Sequence, residues 1–101
     1  LVLSSVEKTP RLIVVHEDNQ TCGLGAEVIA TVAEKAKLPV AMRRVTRSDT
    51  HVPCNFPNQT LILPGFKRTL AAAAELLDLD LKWEEKSAPS DGSTFIEAFE
   101  F

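Results

Sequence analysis

The feature that most constrains this chain is an abrupt change of pattern near its N-terminal end. Leu12–Val15 are consecutive apolar residues, and a polar stretch that contains Gly23 and Gly25 follows them. From Val28 onward, apolar residues recur with the three- and four-residue steps of an amphipathic helix. This order predicts a buried parallel strand, a loop and a helix. Because open α/β sheets bind ligands and partners where such strands end, the loop is the first place to look for function.

The alternation of strand and helix continues along the chain. We predict strands at Arg11–His16 and Val40–Thr46, the second more exposed than the first, with a helix over Ala26–Lys37 between them. A second long helix begins at Pro64, because proline is well tolerated in a first helical turn, and continues to about Leu79. This order favours right-handed strand–helix–strand connections and a small parallel sheet, which is the α/β fold class.

Finer predictions concern the ends of these elements. Leu1–Lys8 has the pattern of a helix tail, Thr21 is predicted to cap the first long helix, and Leu81–Glu84 is predicted to add a short strand. Arg47–Leu61 is predicted to be a long loop, which is uncommon in a small domain unless the loop binds something. The expected buried stripes of the two long helices are Val28, Ile29, Val32, Ala33 and Ala36, and Phe66, Leu70, Ala73, Ala74 and Leu77.

Composition excludes some classes of function. The chain has 101 residues, 45% of them hydrophobic and 25% charged, as in an ordinary single globular domain. Its net charge is −3 without a long basic run, which disfavours nucleic-acid binding. Apolar stretches are too short to cross a membrane, and we expect a soluble intracellular protein. Cys22 and Cys54 are expected to be free thiols.

The loop residues invite three chemical interpretations. Gly23 and Gly25 resemble a dinucleotide-binding turn, but the third glycine of that motif is replaced by Val28, so close approach of helix and strand is the better explanation. His16, Cys22, His51 and Cys54 include metal-ligand types but lack the paired spacing of a zinc site. A catalytic Cys–His pair stays open as an alternative, and the sequence offers no way to establish it.

Two charged clusters are candidates for contact with a partner. His16, Glu17 and Asp18 follow the first strand, and Arg43, Arg44 and Arg47 with Asp49 accompany the second. Since alternate residues of a strand point to opposite faces, Arg43 and Arg44 cannot share one face. Arginine suits a bidentate contact to a carboxylate, although ordinary solvated arginines explain the pattern equally well.

These segments carry a family resemblance. Residues 14–28, VVHEDNQTCGLGAEV, are followed by a strand-like stretch at Pro39–Val45 and by a polar loop at Arg47–Pro53. The order resembles the C-terminal domain of the beta subunit of thiamine-diphosphate-dependent 2-oxoacid dehydrogenases, which include the pyruvate, branched-chain 2-oxoacid and acetoin dehydrogenases. The resemblance extends from about Val6 to about Trp83. It implies a three-layer αβα domain of the transketolase C-terminal type, and we expect its sheet to lack the first strand of the family.

The resemblance also implies a function. Enzymes of this family decarboxylate a 2-oxoacid and pass the acyl group to lipoyl groups on an acyltransferase. Their thiamine diphosphate and magnesium lie between two other domains, which no segment here matches, so we assign no catalytic, cofactor-binding or metal-binding residue. The expected partners are other domains and subunits of the dehydrogenase, in a homo-oligomer, and the lipoyl acyltransferase core. The implied location is the bacterial cytoplasm or, in a eukaryote, the mitochondrial matrix.

An assembly role therefore stands against one of a different class, a free-standing small α/β module with its own ligand or partner. We expect the domain to occupy residues 1–86, and residues 87–101 to form a linker and a hydrophobic tail that is a further docking hypothesis. The candidate interface residues are His16, Glu17, Asp18, Asn19, Gly23, Gly25, Arg47, Asp49, Pro53 and Phe56.

Overall fold

Strands and helices alternate through the part of the chain that the computed structural model describes, residues 1–81. In chain order the elements are helix α1 (Val2–Val6), strand β1 (Arg11–Asn19), helix α2 (Leu24–Lys35), strand β2 (Ala41–Arg47), helix α3 (Phe56–Ile62) and helix α4 (Phe66–Leu77). The predicted helix tail, both strands and both long helices are confirmed. The expectation that the second strand is the more exposed was wrong, because Val45 and Thr46 of β2 are buried and no residue of β1 is. Apart from Leu81, the strand predicted at Leu81–Glu84 and the tail at 87–101 lie outside the described residues.

The described strands form a parallel pair, as the strand–helix–strand order predicts. The pairing runs in register from Arg11 opposite Ala41 to Val15 opposite Val45, and it resumes where Asn19 meets Arg47. Between these points β1 contains more residues than β2, so β1 bulges. The predicted end of β1 at His16 was therefore wrong, because the pairing beyond the bulge extends the strand to Asn19.

Helices cover both faces of this sheet, as the two adjacent arginines of β2 demonstrate. Arg43 bonds to Glu75 of α4, whereas Arg44 donates to the backbone carbonyl of Gln20, in the turn that leads to α2. Because consecutive strand residues point to opposite faces, α4 lies on one face and α2 on the other. Helix α1 packs against α2. The architecture is the expected α/β sandwich of three layers.

The long connection after β2 is not all loop. Helix α3 begins at Phe56, and the Asn55 side chain accepts a hydrogen bond from the amide of Asn58 at 3.1 Å. Pro57 lies in the first turn, where proline needs no hydrogen-bond partner. The loop prediction for Arg47–Leu61 was therefore wrong from Phe56 onward, because Asn55 and Pro57 act as a helix start.

The described part of the domain has a small core. Its fully buried hydrophobic side chains are those of Val6, Val32 and Val45, joined by Thr46. No residue of α3 or α4 is fully buried. The predicted stripe of α2 is buried or half-buried except for Ala33, and that of α4 is half-buried except for its exposed ends, Phe66 and Leu77. These exceptions are corrections: Ala33, Phe66 and Leu77 stay exposed in the described part of the chain, whose core is small.

Candidate functional site

The bulge of β1 places three candidate residues at the carboxyl end of the sheet. His16, Glu17 and Asp18 lie between the last regular pair of the strand and the pair formed by Asn19 and Arg47. A bulge changes the direction of side chains without ending a strand. It brings the His16 ring and the Asp18 carboxylate to the start of α2.

The start of α2 is held by side chains of β1 and not by Thr21. The Asp18 Oδ2 atom accepts a hydrogen bond from the Leu24 amide at 3.1 Å, and Oδ1 accepts one from the Asn19 amide at 2.8 Å. These bonds, first Asn19 and then Leu24, lower the pKa of Asp18. The His16 Nε2 atom lies 3.0 Å from the Gly25 amide nitrogen. The residue at the N-cap position is Gly23, so the prediction of a Thr21 cap was wrong.

The two glycines of this turn are explained by crowding. A Cβ atom at Gly25 would lie 2.7 Å from Cδ2 of the His16 ring and nearer still to Nε2. One at Gly23 would overlap the backbone carbonyl of Asn19. Both glycines are buried. This geometry supports the close-approach interpretation over a phosphate-binding turn, because the side chain that fills the space next to Gly25 belongs to the domain itself.

Asp49 ties the turn before α2 to the loop after β2. Its carboxylate accepts a 2.6 Å hydrogen bond from the Thr21 hydroxyl and a 3.0 Å bond from the Thr21 amide. These two bonds, the hydroxyl first, lower the pKa of Asp49. Arg47 reinforces the connection: its Nε donates to the Glu17 carbonyl at 3.2 Å, and its Nη1 donates to the Thr50 carbonyl. The polar groups at this edge of the sheet therefore hold the two loops together.

An open hollow of about 610 Å³ lies between these loops. Its lining residues are Asn19, Thr21, Arg47, Asp49, Thr50 and His51. Asn19, Arg47 and Asp49 are predicted interface residues, and His51 is one of the metal-ligand types considered above. Thr21 and Thr50 were not recognised as part of this site. The signal was available for Thr21, because polar residues that follow the carboxyl ends of neighbouring parallel strands lie at the same edge of a sheet.

Two other candidates lie beside this hollow in sequence but do not line it. The carbonyl of Pro53 accepts a 2.9 Å hydrogen bond from the Gln59 side chain, and Phe56 begins α3. Arg43 belongs to the α4 face, where it makes the predicted kind of bidentate contact, at 2.6 and 3.2 Å, with Glu75 of its own chain. The Glu75 carboxylate raises the pKa of Arg43, and the guanidinium lowers that of Glu75.

The metal-ligand residue types do not assemble in this part of the chain. Among residues 1–81, no group of three or more His, Cys, Asp or Glu side chains is placed to hold a metal ion. Cys22 and Cys54 are exposed free thiols. The described helices are also all too short or too polar to span a lipid bilayer.

Comparison with known proteins identifies the domain. The family model for the transketolase C-terminal domain matches residues 1–63. The beta subunit of 2-oxoisovalerate dehydrogenase from Pseudomonas aeruginosa is 36% identical over 76 residues, covering 68% of this chain and 22% of that subunit. The beta subunit of the pyruvate dehydrogenase E1 component from Staphylococcus epidermidis is 39% identical over 77 residues, covering 68% and 24%.

A third relative is the beta subunit of an enzyme with a different name and substrate. The beta subunit of acetoin:2,6-dichlorophenolindophenol oxidoreductase from Bacillus subtilis is 32% identical over 78 residues, covering 75% of this chain and 23% of that subunit. The chain thus spans less than a quarter of the length of these curated relatives, and no solved structure matches it significantly. Since the family model covers more than half of the 101 residues, and the fold agrees with it, the chain belongs to the transketolase C-terminal domain family.

Proposed function

We propose that this domain acts in assembly, as the C-terminal part of the beta subunit of a thiamine-diphosphate-dependent 2-oxoacid dehydrogenase. The similarity to three beta subunits supports the enzyme class. In this proposal the domain covers surface between subunits and presents a docking face to a lipoyl acyltransferase core. It occupies residues 1–86 and catalyses nothing by itself.

The observation that carries the proposal is the imbalance between buried and exposed apolar residues. Among the described residues, three hydrophobic side chains are fully buried. The large hydrophobic side chains that stay exposed are Leu1, Val2, Val15, Leu24, Leu38, Val52, Phe56, Leu61, Phe66, Leu77, Leu79 and Leu81. Single exposed apolar residues are ordinary in soluble proteins. A large number of them around a small core favours a domain whose apolar surface is covered by other protein.

The segment around α3 has the composition of an interface. From Val52 to Phe66 the chain contains no Asp, Glu, Lys or Arg, although a quarter of the whole chain is charged. Leu61 is 76% exposed on α3, and Val52 is 47% exposed before it. The centres of protein interfaces are depleted in charged residues, because charges are costly to remove from water. We propose this uncharged segment, which includes Pro53 and Phe56, as part of the contact surface.

The polar edge of the sheet is proposed as the second contact region. It contains His16, Glu17, Asp18, Asn19, Gly23 and Gly25 of the first strand and turn, with Arg47 and Asp49 of the second. Many of its polar groups bond to one another, which fixes the loops before any partner arrives. A preorganised loop loses less conformational entropy on binding and so suits a docking role.

In this proposal, thiamine diphosphate binds to other parts of the parent enzyme and not to this domain. The described residues provide no set of side chains placed for a metal ion, and the His16 ring occupies the space next to Gly25. We therefore assign the cofactor and magnesium to other parts of the parent enzyme, and assign no step of the reaction to this chain.

Calorimetry and light scattering on the full chain test the proposal. We expect no heat of binding with thiamine diphosphate and magnesium, and an apparent mass that rises with concentration or a saturable interaction with the subunit-binding segment of the acyltransferase. A chain that stays monomeric and ignores that segment would contradict the assembly role. Stoichiometric cofactor binding would do so too, and would favour the free-standing binding module.

A further inference from the structure

The His16 ring lies between strand β1 and helix α2 with both of its nitrogens against backbone amides. Nε2 is 3.0 Å from the amide nitrogen of Gly25, and Nδ1 is 3.1 Å from that of Asp18. Backbone amides can only donate. With the heavy atoms in these positions, both ring nitrogens would have to accept a hydrogen bond.

An imidazole cannot satisfy both amides. The neutral ring carries a proton on one nitrogen and accepts at the other, and the imidazolium carries protons on both and accepts at neither. At most one of the two contacts is therefore a hydrogen bond. Ring protons have to be assigned from the surrounding hydrogen-bond network. The choice therefore depends on which of the two amides would lose more without the ring as its acceptor.

The Gly25 amide would lose more without the ring as its hydrogen-bond acceptor. It lies in the first turn of α2, where amides have no carbonyl partner within the helix, and Gly23 at the N-cap position supplies no side chain. Gly25 is buried, whereas the contact at the Asp18 amide is exposed, so water can replace the ring there. Leaving a buried donor unpaired costs more than leaving an exposed one to water. Nε2 is thus the acceptor, and the proton of the neutral ring is on Nδ1.

We infer that His16 is a protonation-sensitive latch between β1 and the first turn of α2. The neutral ring holds the latch closed by accepting from Gly25. A second proton, added to Nε2, would point a donor at the Gly25 amide and open the latch. The Asp18 carboxylate would still hold Leu24, so α2 would lose one of its two ties to β1. This inference does not depend on the proposed function.

Charges on each side of the ring act on this equilibrium in opposite directions. The positive end of the α2 dipole and the Arg47 guanidinium, near Asp18, oppose the imidazolium. The carboxylate of Asp18 favours it, as do the more exposed Glu17 on the strand and Glu27 in the first turn of α2. Protonation of Nε2 removes the hydrogen-bond acceptor of the Gly25 amide, whichever of these charges has the stronger effect.

Nitrogen-15 NMR of the full chain tests the tautomer directly. Long-range proton–nitrogen spectra in mildly alkaline buffer should show His16 Nδ1 protonated and Nε2 unprotonated. Lowering the pH from about 8 to 5, where histidine ordinarily titrates, should then reduce the protection factor of the Gly25 amide about three- to tenfold. The amide of Ala36, which bonds to Val32 at the other end of α2, should change much less.

Two variants assign the effect. His51→Gln removes the other histidine and should keep the full pH response, whereas His16→Gln places a non-titrating amide oxygen near Gly25 and should abolish it. If His16→Gln does not fold, the His16 tautomer and the pH dependence of Gly25 amide protection in the wild-type chain still test the inference. A proton on Nε2 at alkaline pH, Gly25 protection that is independent of pH, or an unchanged pH response in His16→Gln would overturn the inference.

Discussion

Individual residues at the carboxyl end of the sheet are fixed by contacts with residues far along the chain. Gly25 is a glycine because the His16 ring occupies the space that a Cβ atom would need. Asp49 owes its lowered pKa to Thr21, which belongs to a different loop. At this scale, both contacts predict measurable effects on stability.

Gly25→Ala should destabilise the domain by about 1–3 kcal/mol, the usual cost of inserting a methyl group into filled space. Denaturant unfolding of the full chain measures this free energy. The matched experiment repeats the substitution in a His16→Ala background, where the ring is gone and the added methyl group should cost much less. Equal costs in the two backgrounds would show that the ring is not the obstacle.

Acid should weaken the connection that Asp49 makes. Its folded-state pKa is below the ordinary 3.8, so its contribution is complete above that pH and is lost as pH falls through 3.8 and then through the folded value. The free energy of unfolding should therefore decrease less steeply in Asp49→Asn than in wild type on acidification below about pH 4. Thr21→Val, which removes the hydroxyl donor, should show an intermediate slope. The same slope in all three proteins would contradict the assignment.

At the level of the element, helix α3 has a side-chain cap at its start. Short isolated helices are marginal in water, and no residue of this one is fully buried. Asn55 closes its first turn through the bond from the Asn58 amide. We therefore expect the stability of α3 to respond to the loss of this cap.

Asn55→Ala should lower the local stability of α3 by about 1 kcal/mol. Hydrogen exchange at the Leu63 amide, which bonds to the Gln59 carbonyl, measures the opening of this helix. Asn58→Ala is the control, because it removes an asparagine side chain from the same helix but keeps the backbone amide that the cap uses. Equal changes in the two variants would mean that the side chain of Asn55 does not stabilise α3.

At the scale of the whole molecule, the described residues leave many more large apolar side chains exposed than they bury. If the uncharged segment from Val52 to Phe66 is a contact surface, Leu61→Asp should weaken self-association or acyltransferase binding about tenfold or more. Folding should change little, since the Leu61 side chain is 76% exposed. Leu38→Asp, at another exposed leucine outside the segment, should leave association unchanged. Light scattering and calorimetry compare the two, and equal losses would contradict a specific interface at α3.

Sequence by itself determined the order of the two strands and the two long helices, and the family of this protein. The apolar run at Leu12–Val15 predicts a strand, apolar spacing predicts the long helices, and residues 14–28 carry the resemblance. These signals are local, so they can be read along the chain. They also indicated that Gly23 and Gly25 allow close approach and that Arg43 and Arg44 diverge.

Only the tertiary structure decided which polar groups meet. The bulge that extends β1 to Asn19, the bond from Thr21 to Asp49 and the position of His16 beside Gly25 all join residues that lie apart in sequence. Thr21 has the right chemistry for a helix cap, but the bulge brings Asp18 to that helix and leaves the Thr21 hydroxyl to another loop. Such a choice depends on where the bulge falls in β1, and the pairing of β1 with the distant strand β2 decides that position.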